Sequence, residues 1–247
     1  MNDTTNSSPW TAWILRVQWA LLAVLLLGLI GVRFSVLPFG TAFKGFGLAL
    51  VSMTALGALA VLALLISWFR GAAHWRAPAV RAAVVGFVPA LVIMLIVGPA
   101  GFKVPAIHDI STDTQDPPEF VAAKQERSAT ENTLDYGGRE LAKQQKLAYP
   151  DIQALRLDIS TDLAFARAQA VCQQFGWRII RTDAADGVVE AVEETLVFGF
   201  KDDVIIRVLP TEEGSQIDVR SVSRVGISDL GANAKRIRRV LAALREG

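Results

Sequence analysis

Three uninterrupted apolar runs fill most of the first hundred residues and constrain the fold more than any other feature. ILRVQWALLAVLLLGLIGV covers 14–32, GFGLALVSMTALGALAVLALLISWF covers 45–69 and AAVVGFVPALVIMLIVGPAG covers 82–101. Each reaches roughly 20 residues, enough to cross about 30 Å of hydrocarbon as a helix. Lipid offers backbone amides no partner, so such runs must close their hydrogen bonds internally as helices. Two further runs follow the first and no small-x-small cleavage site ends it, which favours a retained helix over a signal peptide. Arg16 and Arg33 flank the first run and can snorkel, Trp10, Trp13 and Trp19 suit an interfacial belt, and Trp68 and Phe69 mark the end of the second run.

Short-loop charge predicts the direction of the spans. The connection RGAAHWRAPAVR carries Arg70, Arg76 and Arg81 with no acid, whereas the connection from 33 to 44 carries only Arg33 and Lys44. The positive-inside rule then puts residues 70–81 and the N-terminus in the cytoplasm and everything after Gly101 outside. No Asp, Glu, Lys or His lies deep in a span, which argues against an ion or proton pathway. Ala82, Gly86 and Ala90 form a small-residue face on the third run, for packing within the three-helix unit or for self-association. Pro89 is expected to kink that helix.

Charge divides the chain at the same place. Residues 1–101 hold six Lys and Arg against one acid, and residues 102–247 hold nineteen against twenty-three. A mildly acidic polar part lacks the concentrated basic surface that nucleic acid requires. One cysteine, Cys172, excludes an internal disulfide and a cysteine-based zinc site. Its helical spacing with Phe165, Ala168 and Phe175 marks it as a buried apolar residue.

The polar part divides into an irregular strap, 102–150, and a patterned core, 151–247. The strap holds Pro117-Pro118, Gly137-Gly138 and two short helical stretches, 119–127 and 138–146, neither strongly amphipathic by inspection. A connection this long inside a compact domain wraps the surface or carries a role. Beyond it, alternation predicts strands at 154–160, 177–182, 188–200, 204–210 and 216–225, with Lys201-Asp202-Asp203 read as a hairpin turn. A helix is expected from Thr161 to Phe175, stopped by Gly176. Another opens near Ser228 or Asp229, with Leu230, Ala234, Ile237, Leu241 and Leu244 as its stripe. The order implies an α+β fold: three N-terminal transmembrane helices (1–101), then a mostly antiparallel sheet with two helices packed on one face.

Two stretches carry candidate chemistry. HDISTDTQDPPEF, 108–120, concentrates a histidine and four carboxylates. His108, Asp109 and Asp113 come nearest to a metal set. Yet adjacent residues face opposite ways, the calcium-loop spacing is absent, and zinc wants more His or Cys. The alternatives are turns satisfied by Asp and Ser side chains, or a ligand-facing loop. In the second stretch, 220–236, Arg220 and Arg224 share one strand face and Ser228, Asp229 and Asn233 surround a helix start. Together they form a candidate anion site, for a lipid headgroup or an envelope component. The competing reading has Asp229 or Ser228 capping the helix and the arginines paired with Asp202, Asp203 or Asp218. Should the 103–120 strap fold back beside 220–233, both stretches would share one cleft, which would favour a hydrolase or metal enzyme. There is no G-x-S-x-G elbow and no glycine-rich nucleotide loop, so no cofactor is expected.

PAIHDISTDTQDPPEF, LAYPDIQAL, FGFKDDVIIRV and DVRSVSRVGISDLGANAKRIRRVL together resemble the DUF1499 family, from about residue 104 to the end. The resemblance implies a single α+β domain that can follow membrane helices, and it brings no reaction with it. The resulting expectation is a multi-pass protein of the cell inner membrane with a periplasmic domain. Its partners would be the bilayer and an anionic ligand or envelope component, and binding or scaffolding would be its role in place of catalysis.

Overall fold

The computed structural model describes residues 9–34 and 36–247, and the chain divides into two compact units between Pro99 and Ala100. In the first, α1 (Pro9–Arg33), α2 (Phe39–Phe69) and α3 (Arg76–Gly101) are long and apolar enough to span a membrane, with a short 3₁₀ turn at Ala73–Trp75 before α3. The small-residue face of α3 is used inside this unit. A Cβ on Gly86 would meet Met53 O at 2.7 Å and Gly57 Cα at 2.8 Å, and would run into the Gln18 amide. Gln18 is fully buried, and its amide nitrogen donates to Met53 O at 3.0 Å and Ala82 O at 3.4 Å, so one α1 side chain ties α2 and α3. A hydrogen bond between helices is one of the few cohesive forces available in lipid, where apolar burial gives no net drive. Pro89 lies inside α3 without a break in the helical dihedrals. The non-helical residue of α3 is Gly98 (φ 72°), immediately before Pro99, where the pyrrolidine ring disfavours helical backbone in the preceding residue.

The second unit is α+β, as the patterning predicts. An antiparallel sheet runs β1 (Asp109–Ser111), β6 (Gly214–Ser223), β5 (Lys201–Thr211), β4 (Val188–Glu194), β3 (Arg178–Asp183), and β2 (Leu155–Leu157) extends the β1 edge along β6. β1 pairs with Arg220–Val222 and β2 with Ser215–Ile217, so two short strands in line cover one edge. α6 (Thr161–Gln174) and α7 (Ala232–Glu246) pack on one face. Ser160 caps α6, accepting from Leu163 N, and Gly176 (φ 69°) ends it in the left-handed conformation that favours glycine. Ala168, Cys172, Ile237, Leu241 and Leu244 meet Ile206, Val208, Ile217 and Val219 in the main core. Leu230 lies ahead of α7 and is exposed, so it does not belong to the expected stripe.

The hairpin turn expected at Lys201-Asp202-Asp203 needs correction. Lys201-Asp202-Asp203 is the start of β5, and the turn between β4 and β5 is Thr195–Phe200, closed by Thr195 N to Phe200 O at 2.8 Å. The acids suggest a turn by composition, but Asp202 and Asp203 are buried against arginines; tertiary pairing overrides local propensity. The opposite face of the sheet is also covered. Residues 112–136, with α4 (Ala122–Glu126), lie over it, and Phe120, Ala123 and Leu134 pack on Ile205 and Val222. α5 (Gly138–Ala148) sits beside β1. Its buried Gln145 accepts from Ser111 N at 3.0 Å and donates to Ser111 O at 2.6 Å, finishing the free edge of that strand as a further strand would.

Candidate functional site

Side chains alternate across the sheet, and this decides how the sequence-derived cluster is arranged. Arg220 of β6 and Arg224, just past the end of that strand, point to the face under the strap, whereas Asn233 belongs to α7 on the other face. The sheet separates them, so Arg220, Arg224, Ser228, Asp229 and Asn233 do not converge on one point.

Arg220 is 2% exposed. It grips Asp109 in a two-pronged pair, Nε to Oδ1 at 3.0 Å and a terminal nitrogen to Oδ2 at 2.8 Å. Its remaining donors reach Pro118 O at 3.0 Å and Leu134 O at 2.7 Å, and the rings of Phe120 and Tyr136 each lie 5.3 Å from the guanidinium carbon. Arg224 pairs with Asp203 at 2.7 Å and reaches Glu126 at 3.2 Å. Arg127 of the strap takes the other Asp203 oxygen at 2.7 Å. The planar five-donor fork of arginine suits this double duty. A carboxylate or phosphate entering here would have to displace Asp109 or Asp203. Arg178 and burial act in opposition on Glu126, and Arg178, assisted by Arg224, wins, holding that carboxyl at about 2.

The strap carboxylates are likewise engaged. Asp113 accepts from its own turn amides at 115 and 116, both at 2.9 Å, and pairs with Arg207 at 3.2 Å, while Asp116 meets Arg207 at 2.9 Å. The fully buried Glu190 of β4 accepts from the amides of Val121, Ala122 and Ala123, clamping the first turn of α4 to the sheet. His108 is half-exposed, and its carbonyl takes Ser223 N and Asn233 Nδ2, each at 2.9 Å. The strap does fold back beside 220–233, through the β1–β6 pairing. The two stretches meet through strand pairing, the Arg220–Asp109 ion pair and the bond from Asn233 to His108 O. His108, Asp109 and Asp113 do not converge, and among the described residues no three His, Cys, Asp or Glu side chains are grouped to hold a metal ion.

Asp229 accepts from Gly231 N at 2.7 Å and Asn233 N at 2.9 Å, capping α7 from outside, and burial pushes its carboxyl up. Ser228 Oγ accepts from Leu230 N at 3.2 Å. Asn233 donates to Ser223 Oγ at 2.9 Å and accepts from Ser221 Oγ at 2.7 Å. Arg236 joins this knot through Asp202 and Glu193.

Cations without a carboxylate partner lie elsewhere. Arg139, Lys143 and Lys146 recur at i, i+4 and i+7 on the outer face of α5, while Leu141, Gln145 and Ala148 face the core. The helix is therefore amphipathic, which its sequence conceals because the buried Gln145 is polar. None of the three cations forms an ion pair with the described residues. They line one wall of a groove of about 800 Å³, with Thr114, Gln115 and Tyr136 opposite. A depression of about 480 Å³ continues it past Lys146 to Tyr149 and Gln153. Tyr136 Oη is buried and has no hydrogen-bond partner among the described residues, and burial pushes its phenol up to about 12. The hydroxyl thus stays protonated near neutral pH, able to donate.

The chain is of the class of membrane proteins that join helices long and apolar enough to span a bilayer, here three, to an α+β domain, whose sheet is covered on both faces. Residues 109–244, more than half of the chain, match the family model described as Protein of unknown function (DUF1499), and the chain belongs to that family. No curated protein matches it.

Proposed function

We propose that this chain is a binding protein of the cell inner membrane whose α+β unit lies outside the cytoplasm and holds an anionic ligand in the groove between α5 and the strap. The observation that carries the reading is the contrast in cation use. Arg220, Arg224 and Arg236 are buried and neutralised by carboxylates, while Arg139, Lys143 and Lys146 share one groove wall with no carboxylate partner among the described residues. A phosphate or carboxylate held there meets three cations as donors. Arg220, Arg224, Asp229 and Asn233 serve this site at one remove, by fixing the strap that forms its other wall. The orientation rests on Arg70, Arg76 and Arg81 in an acid-free connection.

Two measurements test the reading. Full-length protein in detergent is titrated with inorganic phosphate and glycerol phosphate by calorimetry. Binding is expected, weakened at least tenfold in Lys143→Ala/Lys146→Ala, and heat unchanged by that double substitution would contradict the site. A protease added outside intact spheroplasts is expected to cut the second unit, and full protection until lysis would contradict the orientation.

A further inference from the structure

The second unit has two chemically different ends. At one end the chain arrives from α3, and three segments gather there. Arg224 N bonds Lys201 O at 3.0 Å, joining the β6 exit to the base of the β4–β5 hairpin, and Asp229 N bonds Ile107 O at 3.0 Å, joining the β6–α7 loop to the arriving chain. The hairpin TLVFGF (195–200) and the loop stretch VGIS (225–228) contain no charged residue. Their apolar side chains point outward: Leu196 is 93% exposed and Ile227 81%, with Val197 and Leu230 beside them also exposed. Leu230 holds a left-handed backbone (φ 52°), a conformation that branched L side chains rarely adopt. The cations Lys103 and Lys201 are exposed, Lys201 lying opposite Glu194 in the β4–β5 register. The far end of the sheet differs. Its turns hold Asp183, Asp186, Glu212 and Glu213.

Exposed leucine, isoleucine and valine gathered on two adjoining loops mark an interaction surface. We infer that this surface inserts shallowly into the bilayer that the helices span, through Leu196, Val197, Ile227 and Leu230, with Lys103 and Lys201 at the level of anionic headgroups. The chain itself names the occupant. Phe102–His108 is only seven residues, at most about 25 Å fully extended, so the apolar end is tethered within reach of lipid. Lys103 and Lys201 would gain from an anionic membrane surface. The inference goes beyond ligand binding in the α5 groove and does not depend on it.

The test is site-directed spin labelling of the full-length chain in liposomes containing phosphatidylglycerol. Nitroxides are placed in Leu196→Cys, Ile227→Cys and, as a far-end control, Glu212→Cys. Cys172 is buried and its thiol is pushed up to about 12, so it does not compete for label. Collisions with oxygen, which concentrates in lipid, are compared with collisions with a water-soluble nickel chelate. Oxygen is expected to dominate at 196 and 227 and the chelate at 212. Chelate-dominated collisions at 196 and 227 would overturn the inference. So would low accessibility to both reagents, the signature of cover by a second copy or another protein.

Discussion

The two faces of the sheet are closed by opposite means. On one, α6 and α7 bury Ala168, Val171, Ile237, Leu241 and Leu244 against Ile206, Val208, Ile217 and Val219. On the other, a strap with little regular structure is held by Arg220–Asp109, Arg224–Asp203–Arg127, Arg207–Asp113 and the Glu190 clamp, with a small apolar patch around Phe120. The first face is cohesive mainly through shape and area, with the buried Arg236–Asp202 pair beside the first turns of α7, so a missing methyl costs locally. The second is cohesive through charge, so a missing partner leaves an uncompensated ion in a dry place. Charged residues in a suggestive order can therefore be mortar for the fold, and the cations left over are the better guide to a ligand.

The largest expected effect comes from breaking the charged face. Asp109→Ala leaves the Arg220 guanidinium buried without its carboxylate and should cost about 3–5 kcal/mol. Denaturant unfolding of the full-length protein, followed by near-ultraviolet circular dichroism, would read it. Replacing both partners, as in Asp109→Leu/Arg220→Met, should return most of that loss, because apolar substitution of a whole buried pair is often close to neutral. A double variant as unstable as the single one would mean that Arg220 acts chiefly through Pro118, Leu134 and the two rings.

On the apolar face, Leu244→Ala should cost about 2–4 kcal/mol with no rescue by any charge change. An effect below about 1 kcal/mol would show that α7 is loosely packed and would weaken the contrast. Asn233→Ala sits between the two modes, since it removes bonds to His108 O, Ser221 and Ser223. About 1–3 kcal/mol is expected from the stranded buried groups.

The smallest effect concerns pH. The Glu126 carboxyl lies at about 2 in the folded protein against an ordinary value of 4.5. A depressed folded value means that its contribution is fully present above 4.5 and is lost as pH falls from there toward 2. Glu126 is about one-third exposed and solvent-screened, so the loss should stay under about 1 kcal/mol. Glu126→Gln should flatten the urea midpoint between pH 5 and pH 3 by that amount. A steeper dependence in the variant would reverse the assignment.

The legible parts of the fold were those governed by periodicity. Runs of roughly 20 apolar residues gave the spans, and the alternation in 216–225 and the stripe from Ala234 to Leu244 gave β6 and α7. What stayed hidden was set by contacts distant in sequence. Asp202 and Asp203 imitate a turn until Arg236 and Arg224 are brought to them. β1 is three residues long and exists because β6 and Gln145 supply its partners. Gln18 reads as a blemish in an apolar helix, although it ties three helices. For the candidate site, the pairing of Arg224 with Asp203 was among the readings open from the start. The α5 groove was missed although Arg139, Lys143 and Lys146 display its helical spacing in plain sequence. Whether those cations are free is a property of their neighbours, which spacing alone does not carry.

The central claim is that the strap is a second layer of the domain, locked by buried charge. Amide hydrogen exchange on the full-length protein in lipid nanodiscs tests it most directly. The amides of Ser111, Thr112, Ala123 and Asn132 bond to Gln145, Val219, Glu190 and Arg224. They should exchange as slowly as those of β5 and β6, and Asp109→Ala should release them while the sheet amides stay protected. Exchange of the strap at the rate of an open loop in the unaltered protein would contradict the account.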